Sequence, residues 1–240
     1  MVVVVVVVVL VVGVVVLVVV VVVVVEIVVN NRHYIILLLL LHHYFSEENF
    51  RAIALLSVSK SSNISLVRTL RTSFYCDAIC PMDGDRFIIN TIIHPCPVRT
   101  ITVQGQEGDV QHACLAGLPD KTYKLDESKC TYIEAHKTVV LTDRNAHKVY
   151  LSNIENGRYR IVHSDKIRSP LGACPGIDGT VFVCSGGTGT VVQLTTQGTV
   201  IASYDVSMAW PCAVSLSRDG TRLAVSNGVK KETQIKLYNI

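Results

Sequence analysis

Five residues next to predicted strands have side chains of the types that commonly anchor binding partners. They are two aromatic residues and three cations: Tyr75, Trp210, Arg144, Lys166 and Arg168. Such groups form hot spots in protein interfaces, and they can also stack on RNA bases. If the elements that carry them place them on one surface, that surface is a candidate binding site. A second interpretation stays open for Trp210, the only tryptophan, which could instead pack between neighbouring elements.

A repeat of about 42 residues carries most of these side chains. It is clearest in two segments, LGACPGIDGTVFVCSGGTGTVVQLTTQGTVIASY (171–204) and PCAVSLSRDGTRLAVSNGVKKETQIKLYN (211–239). Each segment reads as an apolar strand, an Asp-Gly turn, a second strand, a loop and a third strand. The second strand is apolar at consecutive positions, as in Val181, Phe182, Val183 and Cys184, which is typical of a strand buried on both faces. The sequence therefore predicts an all-β fold, a β-propeller of about four four-stranded blades.

The predicted blades begin at residue 76 and differ in how clearly the sequence shows their strands. The first covers residues 76–117, with its fourth strand at 110–117, and the second, the most degenerate, covers 129–165. The last copy stops after its third strand, at Ile240. A single strand predicted at residues 63–70 could pair with that blade and close the ring. The alternative is that the chain is part of a longer propeller.

Two segments precede the propeller domain, which we place at residues 62–240. Residues 1–25 are a low-complexity segment that is nearly pure valine from Val2 to Val25 and would be helical if ordered. Such a helix, about 36 Å long, could span a membrane and would leave the propeller in the cytoplasm. The other interpretation is a translated simple repeat, which would be prone to aggregate. Residues 26–61 are a connector in which Ser46, followed by Phe50, Ile53 and Leu56, predicts a short helix.

The blades resemble NHL-type repeats, and more closely the C-terminal propellers of invertebrate tripartite-motif-like proteins. The resemblance rests on TDRNAHKVYL (142–151), GACPGIDGTVFVCS (172–185) and PCAVSLSRDGTRLAVSNG (211–228). Asp143, Asn145, Lys148 and Val149 match the acidic, asparagine and basic–aliphatic positions of the repeat. The resemblance implies a domain that recognises a partner or substrate protein, with the acid and the asparagine bracing a loop. Relatives usually have six blades and often carry a RING finger, which this sequence does not show, so ubiquitin-ligase activity is not implied.

The sequence offers little for catalysis. Some propellers hold a metal ion with carboxylates from several innermost strands, but here only Asp77 occupies such a position. We find no nucleophile elbow and no phosphate-binding glycine loop, so we predict no enzyme activity, no cofactor and no metal. The net charge of +3 is too mild to indicate nucleic acid by itself. Our first hypothesis is a scaffold for protein–protein interaction. An RNA-binding propeller and a membrane-tethered interaction domain stay open as alternatives.

Overall fold

The protein is an all-β chain built from antiparallel sheets. The computed structural model describes residues 2–5, 23–29, 32–37, 52–58, 64–74, 76–91, 98–109, 129–228 and 234–240. Within these ranges the chain forms twenty strands in five sheets, and within each sheet every strand pairs with the next one along the chain. Four of the sheets are arranged as propeller blades, which confirms the predicted fold class. None of the helical segments in the described ranges is long and apolar enough to cross a membrane.

The N-terminal sheet contains five strands in sequence order. They are β1 (Val2–Val5), β2 (Val23–Val29), β3 (Arg32–Leu37), β4 (Ala52–Val58) and β5 (Ile64–Arg71).

The four blades follow, each with its first strand innermost. Blade 1 comprises β6 (Cys76–Pro81), β7 (Arg86–Thr91), β8 (Val98–Thr102) and β9 (Glu107–Asp109). Blade 2 comprises β10 (Cys130–Ile133), β11 (Thr138–Asp143), β12 (Lys148–Asn153) and β13 (Tyr159–Val162). Blade 3 comprises β14 (Pro170–Pro175), β15 (Val181–Ser185), β16 (Thr190–Leu194) and β17 (Val200–Asp205). Blade 4 comprises β18 (Pro211–Leu216), β19 (Arg222–Asn227) and β20 (Ile235–Asn239).

The blades contact one another through their innermost strands. β6 lies against β10, β10 against β14, and β14 against β18, while β1 of the N-terminal sheet contacts β18 and β2 contacts β6. Between β14 and β18 the approach is so close that a Cβ atom on Gly172 would lie 2.5 Å from the backbone oxygen of Cys212. Glycine at this position therefore sets the distance between blades 3 and 4.

The apolar core is divided into layers between neighbouring sheets. One layer joins blades 1 and 2 around Tyr132 and Tyr150, the next joins blades 2 and 3, and a third joins blades 3 and 4 around Phe182 and Val225. A fourth joins the N-terminal sheet to blade 1 around Ile53 and Phe87. Because blades 1, 2 and 3 are covered on both faces, the middle strands β11 and β15 are buried at every residue. This agrees with the unbroken apolar runs from which the propeller was predicted.

The connector helix is a wrong prediction over its second half. Residues 52–58 are strand β4, which buries Ile53 and Leu55 at alternating positions and pairs Ile53 with Leu70 of β5. A short apolar run is compatible with the spacing of a helix and with that of a strand. Here the neighbouring strand β5 favours a strand, because it offers both backbone pairing and an apolar layer. The predicted helix start at Ser46 lies outside the described residues.

Two further expectations on strand pairing are corrected. The strand predicted at 63–70 exists as β5, but it pairs with β4 and not with blade 4, because a neighbour in sequence is the less costly partner. The fourth strand of blade 1 begins earlier than predicted, with β9, and the predicted residues 110–117 lie outside the described ranges. In the valine run, the described ends β1 and β2 are strands, and the residues between them lie outside the described ranges.

Candidate functional site

Two residues that precede prolines adopt an unusual backbone conformation at the start of blades 3 and 4. Ser169, before Pro170, has φ of +48°, and Trp210, before Pro211, has φ of +57°. The left-handed region costs a non-glycine residue on the order of 1 kcal/mol or more, so such residues persist only where their surroundings hold them. Here the carbonyl of Ser169 accepts from the N–H of Gly186 (3.1 Å), and that of Trp210 accepts from the N–H of Gly228 (3.1 Å).

The indole ring of Trp210 is half-buried and has neighbours on several sides. It packs against the apolar layer between blades 3 and 4, and Cβ atoms on Gly186 and Gly228 would each lie 3.5 Å from a ring carbon. The guanidinium carbon of Arg144 lies 5.1 Å from the ring centroid, within range of a cation–π interaction. Since Arg144 follows β11 of blade 2 and Trp210 begins blade 4, this contact spans the start of blade 3.

A histidine and a second arginine complete this surface. Nδ1 of His147 accepts a hydrogen bond from the backbone N–H of Ser169 (2.9 Å). The backbone of Arg168 is fixed on both sides, because its N–H donates to Oγ of Ser185 (2.9 Å) and its carbonyl accepts from the N–H of Gly187 (2.9 Å). Its side chain is exposed. We call the surface formed by Arg144, His147, Arg168, Ser169 and Trp210 the Trp210 rim.

The structure brings three of the five sequence-predicted residues onto this rim, namely Arg144, Arg168 and Trp210. Lys166 is exposed two residues before Arg168. Tyr75 lies outside the described residues, and its neighbour Phe74 is buried under the guanidinium of Arg99, 4.8 Å from its ring centroid. The ring of Trp210 packs against the core, as the second interpretation expects, and it also contacts Arg144, while a role of Trp210 in binding stays a prediction. Sequence reasoning missed His147, whose only signal was its place in the same loop as Arg144.

Arg144 and Arg168 place positive charge on the Trp210 rim. None of the carboxylates in the described ranges lies within 4 Å of the charged nitrogens of Arg144, Lys166 or Arg168. Where ion pairs do form they lie elsewhere, as between Arg86 and Asp83 at 2.6 Å and between Arg99 and Asp109 at 2.8 Å. The guanidinium groups of the rim therefore keep N–H donors available for an anionic group.

The buried thiols of the blades are poor nucleophiles. Burial raises the pKa of Cys174 to about 12, and it also raises the pKa of Cys80 and of Cys184. A thiol whose pKa is raised stays protonated near neutral pH, and the thiolate is the reactive form. Over the ranges that the structure describes, no group of three or more His, Cys, Asp or Glu residues is placed to hold a metal ion.

Comparisons with known proteins give a fold and no family. No model of a protein family matches the chain, and no curated protein matches it. A functionally unknown protein from Desulfotomaculum acetoxidans is similar in structure with a TM-score of 0.61 and 11% identity, covering 90% of this chain and 64% of the other. This chain thus spans less than two thirds of that protein's length.

Two enzymes are also similar in structure. Streptogramin B lyase has a TM-score of 0.55 at 12% identity, with 90% of this chain and 67% of that chain covered. Virginiamycin B lyase from Staphylococcus aureus has a TM-score of 0.56 at 12% identity, with 90% and 69% covered. Likeness at this identity shows the propeller-like fold alone, and the resemblance to NHL repeats stays a prediction.

Proposed function

We propose that this chain is a non-catalytic binding platform that takes up an acidic segment of a partner protein on the Trp210 rim. The observation that carries the proposal is the pairing of Arg144 with Trp210 beside Arg168, whose charge has no partner among the described carboxylates. Aromatic and arginine side chains supply much of the energy of protein interfaces. An arginine stacked on an aromatic ring keeps the planar edge that binds a carboxylate with two hydrogen bonds.

The surroundings of Trp210 favour a protein segment over single-stranded RNA. RNA recognition of this kind needs an aromatic face on which an unpaired base can stack. One face of the indole is covered by Arg144, and the ring also packs against the core and close to Gly186 and Gly228. A base would have to displace Arg144, whereas a carboxylate would bind to the guanidinium group where it lies.

RNA binding is a second candidate because the rim combines cations with an aromatic ring. Arg144 and Arg168 lie on the rim and Lys166 is exposed two residues before Arg168, and backbone phosphates would bind to these cations as carboxylates do. The structural similarity to lyases does not favour an enzyme, since one fold hosts many activities and function depends on the site. Membrane tethering through residues 2–25 and a cytoplasmic location of the blades stay predictions.

The test compares two labelled probes on the full chain: a twelve-residue peptide rich in aspartate and glutamate, and a twelve-nucleotide oligouridine. Fluorescence anisotropy should show binding of the peptide that weakens with salt. Arg168→Glu should weaken it by roughly three- to tenfold, since reversing a rim charge replaces attraction with repulsion. Arg158→Glu is the matched control, because Arg158 is exposed in the loop between β12 and β13 at the opposite end of the blade.

Each other result rejects the proposal in a defined way. Binding of oligouridine alone, lost in Arg168→Glu, would assign the rim to RNA. An equal loss of peptide binding in Arg158→Glu would mean that the peptide responds to net charge and not to the rim. Absence of binding to either probe would remove the Trp210 rim as the functional site.

A further inference from the structure

Two cysteines face each other across the apolar layer between blades 1 and 2, where the innermost strands β6 and β10 lie side by side. On β6, Ala78 and Cys80 belong to this layer, while Ile79 between them packs towards the N-terminal sheet. On β10, Cys130 and Tyr132 belong to the same layer. Because successive side chains of a strand point to opposite faces, Cys80 points towards blade 2 and Cys130 towards blade 1.

The two thiol groups are in direct contact. Cys80 and Cys130 are both free cysteines, they are 6% and 7% exposed, and their thiols are hydrogen-bonded to each other. A disulfide requires two cysteines on neighbouring backbone segments whose side chains point towards each other. This pair meets that requirement, because each residue lies on the innermost strand of its blade and faces the other.

The cysteines between blades 3 and 4 provide an internal comparison. Cys174, Cys184 and Cys212 belong to that apolar layer. The thiol of Cys174 is hydrogen-bonded to the backbone of Leu216, and Sγ of Cys212 lies 3.8 Å from Oγ of Ser226. These thiols thus have hydrogen-bond partners of a different kind, although they are buried in an equivalent place. The mutual contact of two thiols is a feature of Cys80 and Cys130.

We propose that Cys80 and Cys130 are a covalent modification site, at which a small-molecule disulfide such as oxidised glutathione oxidises them to a disulfide that joins blades 1 and 2. One cysteine thiolate attacks a sulfur of the glutathione disulfide, so that a mixed disulfide forms and one glutathione leaves. The second thiolate attacks the protein sulfur of the mixed disulfide and releases the other glutathione. Two electrons pass from the cysteines to glutathione, and the two thiol protons end on the two released glutathione molecules.

The exchange takes place while the layer between the blades is open. Glutathione is too large to reach side chains that are less than a tenth exposed. Burial, and after it the hydrogen bond with Cys130, raises the pKa of Cys80, so the closed layer holds little of the reactive thiolate. Oxidation therefore accompanies folding or a separation of blade 1 from blade 2, and closure of the layer then shields the bond from reduction. The site does not depend on the function proposed for the Trp210 rim, whose residues belong to blades 2 to 4.

Oxidative refolding of the full chain tests the proposal. The chain is reduced and unfolded in urea, refolded in a mixture of reduced and oxidised glutathione, and denatured again so that all remaining thiols can be alkylated. Tryptic digestion without reduction, followed by mass spectrometry, should yield peptide 72–86 joined to peptide 130–137. Fragmentation of the joined peptides distinguishes Cys80 from Cys76, which lies in the same tryptic peptide.

Thermal unfolding measures what the bond does for the fold. In the unfolded chain it closes a loop of about 50 residues, so it should raise the midpoint by roughly 5–10 °C, and a reducing agent should remove the rise. Cys80→Ala and Cys130→Ala should each abolish both the crosslink and the rise. Cys184→Ala is the matched control, because it removes an equally buried thiol between blades 3 and 4 and should leave both unchanged. Comparing oxidised with reduced samples of each variant separates the bond from any loss of packing.

Each contrary result would overturn the proposal. Alkylation of both Cys80 and Cys130 after refolding would show that their contact is not converted into a bond. A crosslink that uses Cys76, or one within the layer between blades 3 and 4, would assign the oxidation to another pair. A crosslink between Cys80 and Cys130 that lowers the unfolding midpoint would show that the folded blades do not accommodate it. Loss of the crosslink in Cys184→Ala would mean that it does not arise from the local contact.

Discussion

Tyr132 brings a hydroxyl group into the apolar layer between blades 1 and 2. Among the buried polar atoms that the structure describes, the phenol oxygen of Tyr132 has no hydrogen-bond partner. Burial raises the pKa of this phenol to about 12, with the charges of Asp83 and Glu134 acting in the same direction and Arg86 opposing them. The hydroxyl therefore loses its hydration on folding without a described replacement, which is destabilising.

Replacing Tyr132 by phenylalanine should stabilise the protein. The ring keeps its packing while the unpaired hydroxyl is removed, so we expect the free energy of unfolding to rise by about 1 kcal/mol in urea denaturation at pH 7. A fall of similar size would show instead that the hydroxyl is hydrogen-bonded in solution.

The same variant should change the response to alkali. Because the folded pKa lies above the value of about 10 of an unfolded tyrosine, the folded state holds this proton more tightly. The stability that the folded state gains by holding the Tyr132 proton is fully present below about pH 10 and is lost as the pH rises through about 12. Tyr132→Phe should therefore lose less stability between pH 10 and pH 12 than the native chain does.

At the scale of elements, the sequence predicted the strands of blades 2 to 4 well, because each signal was local. The Asp-Gly turns contain glycines with positive φ, Gly179 at +68° and Gly220 at +70°, and the unbroken apolar runs became the buried strands β15 and β11. A left-handed turn and burial on both faces each restrict residue type strongly, so they leave a visible pattern.

The predictions from sequence failed where the structure depends on residues that are distant in the sequence but close in space. Residues 52–58 satisfied a helical spacing, and only the pairing with β5 makes them a strand. The fourth strand of blade 1 is the three residues Glu107–Asp109, held through the ion pairs of Arg99, and no apolar pattern announces it. In the same way, the convergence of Arg144 and Trp210 depends on the spacing of the blades.

That spacing leads to a prediction for Gly172. A Cβ atom here would lie 2.5 Å from the backbone oxygen of Cys212 and 2.9 Å from the Cα of Ala213, and backbone atoms cannot rotate away. Gly172→Ala should therefore push β14 and β18 apart and lower the free energy of unfolding by about 1–3 kcal/mol. Thermal and urea denaturation measure the effect.

Gly108→Ala is the matched control for Gly172→Ala. A Cβ atom at Gly108 would approach only Oγ1 of the Thr100 side chain, at 2.8 Å, and that side chain can change its rotamer. We expect a smaller loss of stability than for Gly172→Ala. Equal losses would mean that the contact between the innermost strands does not set the blade spacing.

For the whole molecule, the layered core implies that stability is distributed unevenly from the inside of the blades outwards. Blades 1, 2 and 3 each pack between two neighbouring sheets, so their middle strands are covered on both faces and paired on both edges. In the described part of the chain, β20 is paired on one edge only, and it exposes alternate residues. Local opening should therefore be far easier at β20 than at β11 or β15.

Hydrogen exchange of the full chain, read by mass spectrometry, tests this gradient. Amides of β11 and β15 should exchange only through global unfolding, which for domains of this kind costs about 5–15 kcal/mol. The amides of β20 that face away from β19 bond to no strand among the described residues and should exchange within the shortest labelling times. β16 is the internal reference, because it is the third strand of blade 3 and is paired on both edges. Equal protection of β20 and β16 would mean that the outer edge of blade 4 is covered in solution. That result would contradict the predicted gradient of stability.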